Sequence, residues 1–219
     1  MSAKILISGQ PNSGKTSLLQ SLTDVLVISH DGKRYPFPQA HKNIPSFSSV
    51  EELITIIAQA VEAYKEKYKK FPKTVAIDSI SKILLTIEGN ILATVKSFPY
   101  GVINTEIKKL TDFLEQDLAP NVNLVMVSHT LFDQDTATYQ LVNAGGSWGK
   151  KGGMISEVDN AVFIEIKNNK RIVHHRSPKL ASRTVLAELP DSQPVDEYVL
   201  EDHVNALEAL KDAVAEFEL

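Results

Sequence analysis

Four short apolar runs punctuate the chain: "KILIS" at Lys4–Ser8, "VLVIS" at Val25–Ser29, "TVAID" at Thr74–Asp78 and "NLVMVS" at Asn123–Ser128. Each is β-branched or leucine-rich and ends in polar residues, the pattern of parallel strands covered on both faces. Between them the apolar spacing turns helical. Ser17–Leu22 is a short helical stretch after the first run. Ser49-x-x-Glu52 makes a capping box and opens a helix with Val50, Leu53, Ile54, Ile57, Val61 and Tyr64 on one face. Ile80, Ile83, Leu84, Ile87, Ile91 and Val95 form a third stripe, and Ile103, Ile107, Leu110, Leu114 and Leu118 a fourth. Alternating strands and helices predict an α/β fold with a mainly parallel central sheet and helices on both faces.

Further along, the pattern changes. Tyr139–Val142 leads into "NAGGSWGKKGG", whose glycines argue against regular structure. "AVFIEI", "KNNK" and "RIVHHR" read as a C-terminal β-hairpin with a polar turn. "VDEYVL" reads as one more short strand, and Asp202–Leu219 as an amphipathic helix with Val204, Leu207, Leu210, Val214 and Phe217 inward. The Pro-punctuated "DGKRYPFPQAHKNIP" (Asp31–Pro45) reads as a long surface loop. A core over residues 1–190, followed by an acidic strand and helix over 191–219, is the expected division.

Composition narrows the classes. With 219 residues, 43% hydrophobic and 23% charged, this is an ordinary globular chain. No apolar run approaches the roughly 18 residues of a membrane span, and no secretory leader pattern opens the chain. The absence of cysteine removes disulfides and thiolate metal sites. A cytoplasmic protein is expected. Net charge is −4 but unevenly spread. Residues 150–183 hold eight Lys or Arg against three Asp or Glu, and residues 184–219 hold one Lys against ten Asp or Glu. Such asymmetry suits an anionic partner with a competing tail, or simply solvated faces.

The chemistry starts at "GQPNSGKT", residues 9–16, directly after the first strand. It fits G-x-x-x-x-G-K-[ST], a loop whose backbone N–H groups wrap phosphates. Gly9, Gln10, Pro11, Asn12, Ser13, Gly14, Lys15, Thr16 and Ser17 are the expected nucleotide contacts. Lys15 would reach the β- and γ-phosphates, and Thr16 would help hold Mg²⁺. Asp78, closing the third apolar run, suits a carboxylate on the metal's water shell, or a cap for the next helix. Ser79 follows it, so an acid that activates water must come from elsewhere, and Asp31 at the second strand tip is the candidate. An Asp-Gly turn with Gly32 is the alternative for Asp31. His129, at the tip of the fourth strand, is a candidate γ-phosphate sensor or a structural histidine.

Taken together, "GQPNSGKT", "VLVISHDG", "TVAIDS", "LVMVSHT" and "RSPKLASRT" resemble the RecA superfamily, over roughly residues 3–185. The likeness is to its compact, core-only phage recombination ATPases, the Sak-four-type single-strand annealing proteins. The resemblance implies a P-loop NTPase of RecA-like (ASCE) type using ATP and Mg²⁺. It also implies single-stranded DNA as partner and a homo-oligomer with ATP at subunit interfaces, working in phage-type recombination or annealing. A single-strand-binding protein is a further expected partner. Lys179 and Arg183 in "SPKLASRT" match the region whose cations reach a neighbour's γ-phosphate. The family usually has Glu where Asp31 stands, so slow hydrolysis is expected. AAA+ motors instead keep the activating acid beside the metal ligand. DNA would be held by Lys96–Gly101 and Asp133–Gly153, with Trp148 stacking on bases and Lys150 and Lys151 on phosphates. Two alternatives stay open: a P-loop kinase for a nucleotide or other small molecule, with Arg171, Arg176 and Arg183 clamping substrate phosphates, and a nucleotide-binding mediator or loader that does not hydrolyse.

Overall fold

In the computed structural model, residues 2–32, 35, 37–145, 147–150 and 152–216 are described. The four apolar runs become β1 (Lys4–Gly9), β2 (Val25–Ser29), β4 (Thr74–Asp78) and β5 (Asn123–Val127). With β3 (Ala40–Asn43), β8 (Asn160–Lys167), β9 (Lys170–His174) and β10 (Ser192–Pro194) they build an eight-stranded sheet in the order β10-β9-β8-β1-β5-β4-β2-β3. From β8 to β3 every pairing is parallel, and β9 and β10 add antiparallel strands at one edge. Thus β5 lies between the phosphate-loop strand and the Asp78 strand, with Ile7 beside Val127 and Val127 beside Asp78. Three strand tips are thereby brought side by side, and ligands of such sheets bind outside these carboxyl ends.

Successive strand side chains point to opposite faces, and each face has its own core. Leu6, Ile28, Ile77 and Met126 pack on one face with α2 (Val50–Tyr68), α3 (Ile80–Thr94) and α4 (Pro99–Asp112). Ile5, Ile7, Val27, Ala76 and Val125 pack on the other with Leu18 of α1 (Lys15–Leu18) and with α6 (Leu200–Ala215). Both sides being covered explains why these strands read as unbroken apolar runs. The cap of α2 forms as expected on one side, where Ser49 Oγ accepts from the Glu52 N–H. The Glu52 carboxylate, however, turns to the N–H and hydroxyl of Ser48, each 2.7 Å away, rather than to Ser49.

Several expected loops carry structure. The Asp31–Pro45 segment contains β3, which pairs with β2. β6 (Thr130–Asp133) and β7 (Thr138–Leu141) form a separate two-stranded hairpin, and β7 falls within the Asp133–Gly153 stretch expected to hold DNA. The Gly-rich stretch holds α5 (Ser147–Lys150) and a 3₁₀ turn at Gly153–Glu157. Helix α1 is shorter than Ser17–Leu22 implied and passes into a 3₁₀ turn at Leu19–Ser21. "VDEYVL" is not a strand: its first half is a 3₁₀ turn, and the strand lies just before it at Ser192–Pro194. Helix α6 docks on the second core through Leu200, Val204 and Leu207, with Glu201 at 2.7 Å from Lys73 and Lys211 at 2.7 Å from Asp159. Phe217, expected on its inner face, lies outside the described residues. Among the described residues no helix is long and apolar enough to cross a membrane.

Candidate nucleotide site

The loop after β1 is shaped by two glycines. Gly9 has φ +149°, and a Cβ there would collide with the Ile164 carbonyl oxygen of β8. Gly14 has φ +92°, which L side chains rarely adopt. Between them the Lys15 ammonium donates to the carbonyls of Gly9 at 3.0 Å and Gln10 at 2.7 Å. Pro11, Asn12, Gly14, Lys15, Thr16 and Ser17 line an open cleft of about 490 Å³, and Asp31, Asp78, Val127, His129 and Arg171 complete its walls. Gly9, Gln10 and Ser13 stand behind this lining. Ser13 Oγ is buried without a partner among the described residues, and Gln10 Nε2 donates to the Tyr139 hydroxyl at 2.5 Å while its Oε1 accepts from the Ile166 N–H at 3.1 Å.

Thr16 and Asp78 meet directly: the Thr16 hydroxyl donates to Asp78 Oδ2 at 2.8 Å. Tyr35 donates to the same oxygen at 3.2 Å. Burial, followed by the charge of Asp78, pushes the Tyr35 phenol above its ordinary range, so it stays a donor. The Asp78–Ser79 peptide is cis. The Asp31 carboxylate is mostly buried and lies 3.2 Å from Lys82 Nζ of α3. His129 reaches the cleft from the tip of β5, and its backbone N–H donates to Ser81 Oγ at 3.1 Å. The strand tips thus gather Lys15, Thr16, Asp31, Asp78 and His129 in one cleft.

Lys179 and Arg183 do not line this cleft; both are exposed, and the Arg183 guanidinium donates to the Ile155 carbonyl at 3.3 Å. The three-arginine clamp of the kinase reading does not assemble. Arg176 is held by the carbonyls of Leu189 at 2.6 Å and Leu186 at 2.8 Å, and only Arg171 of the three reaches the cleft.

The segments expected to hold DNA touch each other. Gly145 N–H donates to Glu88 Oε1 at 3.1 Å, Asn104 Nδ2 donates to Ser147 Oγ at 3.0 Å, and the Tyr100 ring lies against Gly145. Trp148 is half-buried against the first core, whereas Phe98 is 87% exposed and Tyr100 52%. Lys150 closes α5, and Lys151 lies outside the described residues.

A phosphate loop, a metal-type Thr–Asp pair and an intervening strand between them constitute a P-loop ATPase core. The model of the AAA domain family AAA_24 matches residues 1–187. The chain belongs to this family. No curated protein matches the chain. Among solved structures, a KaiC-like protein from the hyperthermophilic archaeon Pyrococcus horikoshii OT3 is similar, with a TM-score of 0.48 and 14% identity over 78% of each chain. The match to the AAA domain takes in the loop, every strand tip of the cleft and the β8–β9 hairpin, and ends before β10 and α6. In this AAA-domain chain the two acids of the cleft sit at the tips of different strands, Asp78 on β4 and Asp31 just past β2, with Ser79 beside Asp78. Sequence reading missed Tyr35 and, in the ATPase reading, Arg171. Neither belongs to a periodic pattern: Tyr35 lies in the stretch between β2 and β3, and Arg171 is placed by the register of the β8–β9 hairpin.

Proposed function

We propose that this chain binds ATP with Mg²⁺, hydrolyses it, and couples the nucleotide state to single-stranded DNA as a cytoplasmic homo-oligomer in recombination or annealing. The observation that carries the ATPase reading is the gathering of Lys15, Thr16, Asp31, Asp78 and His129 in one cleft. The residues fit the metal: Mg²⁺ takes few protein ligands and completes its shell with water and phosphate oxygens. Thr16 and Asp78, already 2.8 Å apart, would hold it. When bound, the metal neutralises charge on the β- and γ-phosphates. The loop amides and Lys15 bind the phosphates, Asp31 orients and deprotonates the attacking water, and His129 senses the γ-phosphate.

Two features support the DNA part. Exposed Tyr100 lies against Gly145, just before the Ser147–Lys150 helix, and exposed Phe98 is two residues from it in the chain, giving aromatic faces near a Lys-bearing segment, the combination that stacks unpaired bases and contacts their phosphates. The Gln10–Tyr139 hydrogen bond ties the phosphate loop to the β6–β7 hairpin that leads into this segment. Assembly is supported by Lys179 and Arg183, cations exposed outside their own cleft. The test is ATP turnover with and without single-stranded DNA, run beside mass measurement in each state. Stimulation by DNA and a mass above one chain are expected. Turnover indifferent to DNA, with no DNA bound, sinks the DNA part; no turnover at all leaves a nucleotide-binding module.

A further inference from the structure

We propose that Arg171 is a second phosphate-binding cation of the cleft, acting in the same chain as the loop it serves. The proposal rests on the nucleotide reading above and deepens it. Arg171 comes from β9, the antiparallel partner of β8, and stands opposite Ile166. The turn between them uses Asn168 and Asn169, both left-handed (φ 50° and 59°), as a two-residue hairpin requires. This hairpin is fixed to the phosphate loop at two points: Gln10 Oε1 accepts from the Ile166 N–H at 3.1 Å, and the Gln10 N–H donates to the Ile164 carbonyl at 3.4 Å. The base of the Arg171 side chain is therefore set against the loop by backbone pairing.

From there the side chain lies over Gly14. A Cβ built on Gly14 would be 3.4 Å from Arg171 Nη1 and 3.7 Å from its guanidinium carbon. Arg171 also lines the same cleft as Lys15, Thr16 and Asp78. No carboxylate among the described residues forms an ion pair with it. Gly14 is thus flanked by Lys15, the next residue in the loop, and by Arg171 above. A guanidinium presents a planar fork of donors that matches phosphate oxygens two at a time, which an ammonium cannot do. The ligand class is the phosphate chain of a nucleoside triphosphate. Lys179 and Arg183 line no part of this cleft, so among the described residues the cation that joins Lys15 in its lining is Arg171.

The experiment is equilibrium binding of a fluorescent, non-hydrolysable ATP analogue to the full chain, with thermal unfolding of each variant measured without nucleotide. Arg171→Ala should weaken binding by about tenfold or more, the loss expected for one charge-assisted contact, with its unfolding midpoint unmoved because Arg171 is exposed. Arg171→Lys should recover part of the affinity. Lys170→Ala, an exposed neighbour that does not line the cleft, should stay within about twofold of wild type, since screened surface charge alone does little. Wild-type affinity in Arg171→Ala would overturn the proposal while leaving the nucleotide reading intact. Failure of the wild-type chain to bind the analogue would remove that reading and the role of Arg171 with it. Recovery of turnover on mixing Arg171→Ala with Lys15→Ala chains would also overturn it, because a cation acting within its own chain cannot be complemented by another.

Discussion

Asp31 is where the chemistry of the cleft is most exposed to test. Its carboxylate shares the cleft with Asp78 and lies 3.2 Å from the Lys82 ammonium of α3. Asp31→Asn should lower turnover by about 10²-fold, the scale of losing a general base, while analogue binding persists. Turnover equal to wild type in a single-turnover assay would remove Asp31 from the mechanism. Tyr35 is no rival base, because burial and the neighbouring Asp78 keep its phenol protonated. Lys15, Thr16, Asp78, Asp31 and His129 were legible in the sequence because each sits at the end of an apolar strand or inside a spacing motif, and parallel strands put their tips together. Tyr35 and Arg171 were not, since the stretch between β2 and β3 and the β8–β9 hairpin deliver them, and neither leaves a periodic trace. Trp148 shows the converse. Its Gly-rich flanks advertise an exposed ring, yet the ring packs partly on the first core, and the most open aromatic among the described residues is Phe98.

At the scale of elements, buried strands and amphipathic helices were readable, and short exposed ones were not. β3 has one half-buried and three exposed residues, and β6 and β7 pair only with each other, so no core imposed an alternation on their sequence. What holds the β6–β7 hairpin is Tyr139, whose ring packs against Phe163 and whose hydroxyl accepts from Gln10 at 2.5 Å. Gln10→Ala should therefore raise amide hydrogen exchange across 130–141 while β1 and β5 stay protected; unchanged protection of the hairpin would deny the coupling. The C-terminal helix has a different control. His203, on the buried face of α6, is stacked on Tyr198 at 4.2 Å and on His175 at 5.4 Å. Burial, then the facing His175, lowers the His203 pKa to about 4, while Asp202 opposes this. Burial lowers His175 too, aided by Arg176 and His174 and opposed by Gln193. With folded values below the ordinary 6.5, the unfolded chain binds these protons more readily. Stability is therefore full above about pH 6.5 and falls as the pH drops toward 4. The unfolding midpoint should decline by on the order of 5 °C over that window, and His203→Phe, which keeps the stack without the titration, should flatten the decline.

For the whole molecule, the sequence could supply strands but not their order. That β5 inserts between β1 and β4 follows from which edges the crossovers leave open, a long-range choice with no local signature. The order matters because it sets His129 between the phosphate loop and Asp78 and brings the basic β8–β9 hairpin to the loop, with Lys179 and Arg183 exposed and outside the lining of their own cleft. A cation in that position can act on a nucleotide only across a boundary between copies. If it does, Lys15→Ala and Arg183→Ala chains should each be nearly inactive alone. Their equimolar mixture should regain about a quarter of wild-type turnover, since one interface in four then pairs an intact loop with an intact Arg183 from its neighbour. Sedimentation of the mixture alongside the rate separates failure to assemble from failure to complement. An assembled mixture that stays inactive would assign Arg183 to the sheet edge, where its guanidinium already meets the Ile155 carbonyl, and would leave the chain's own Arg171 as the cation facing the phosphates.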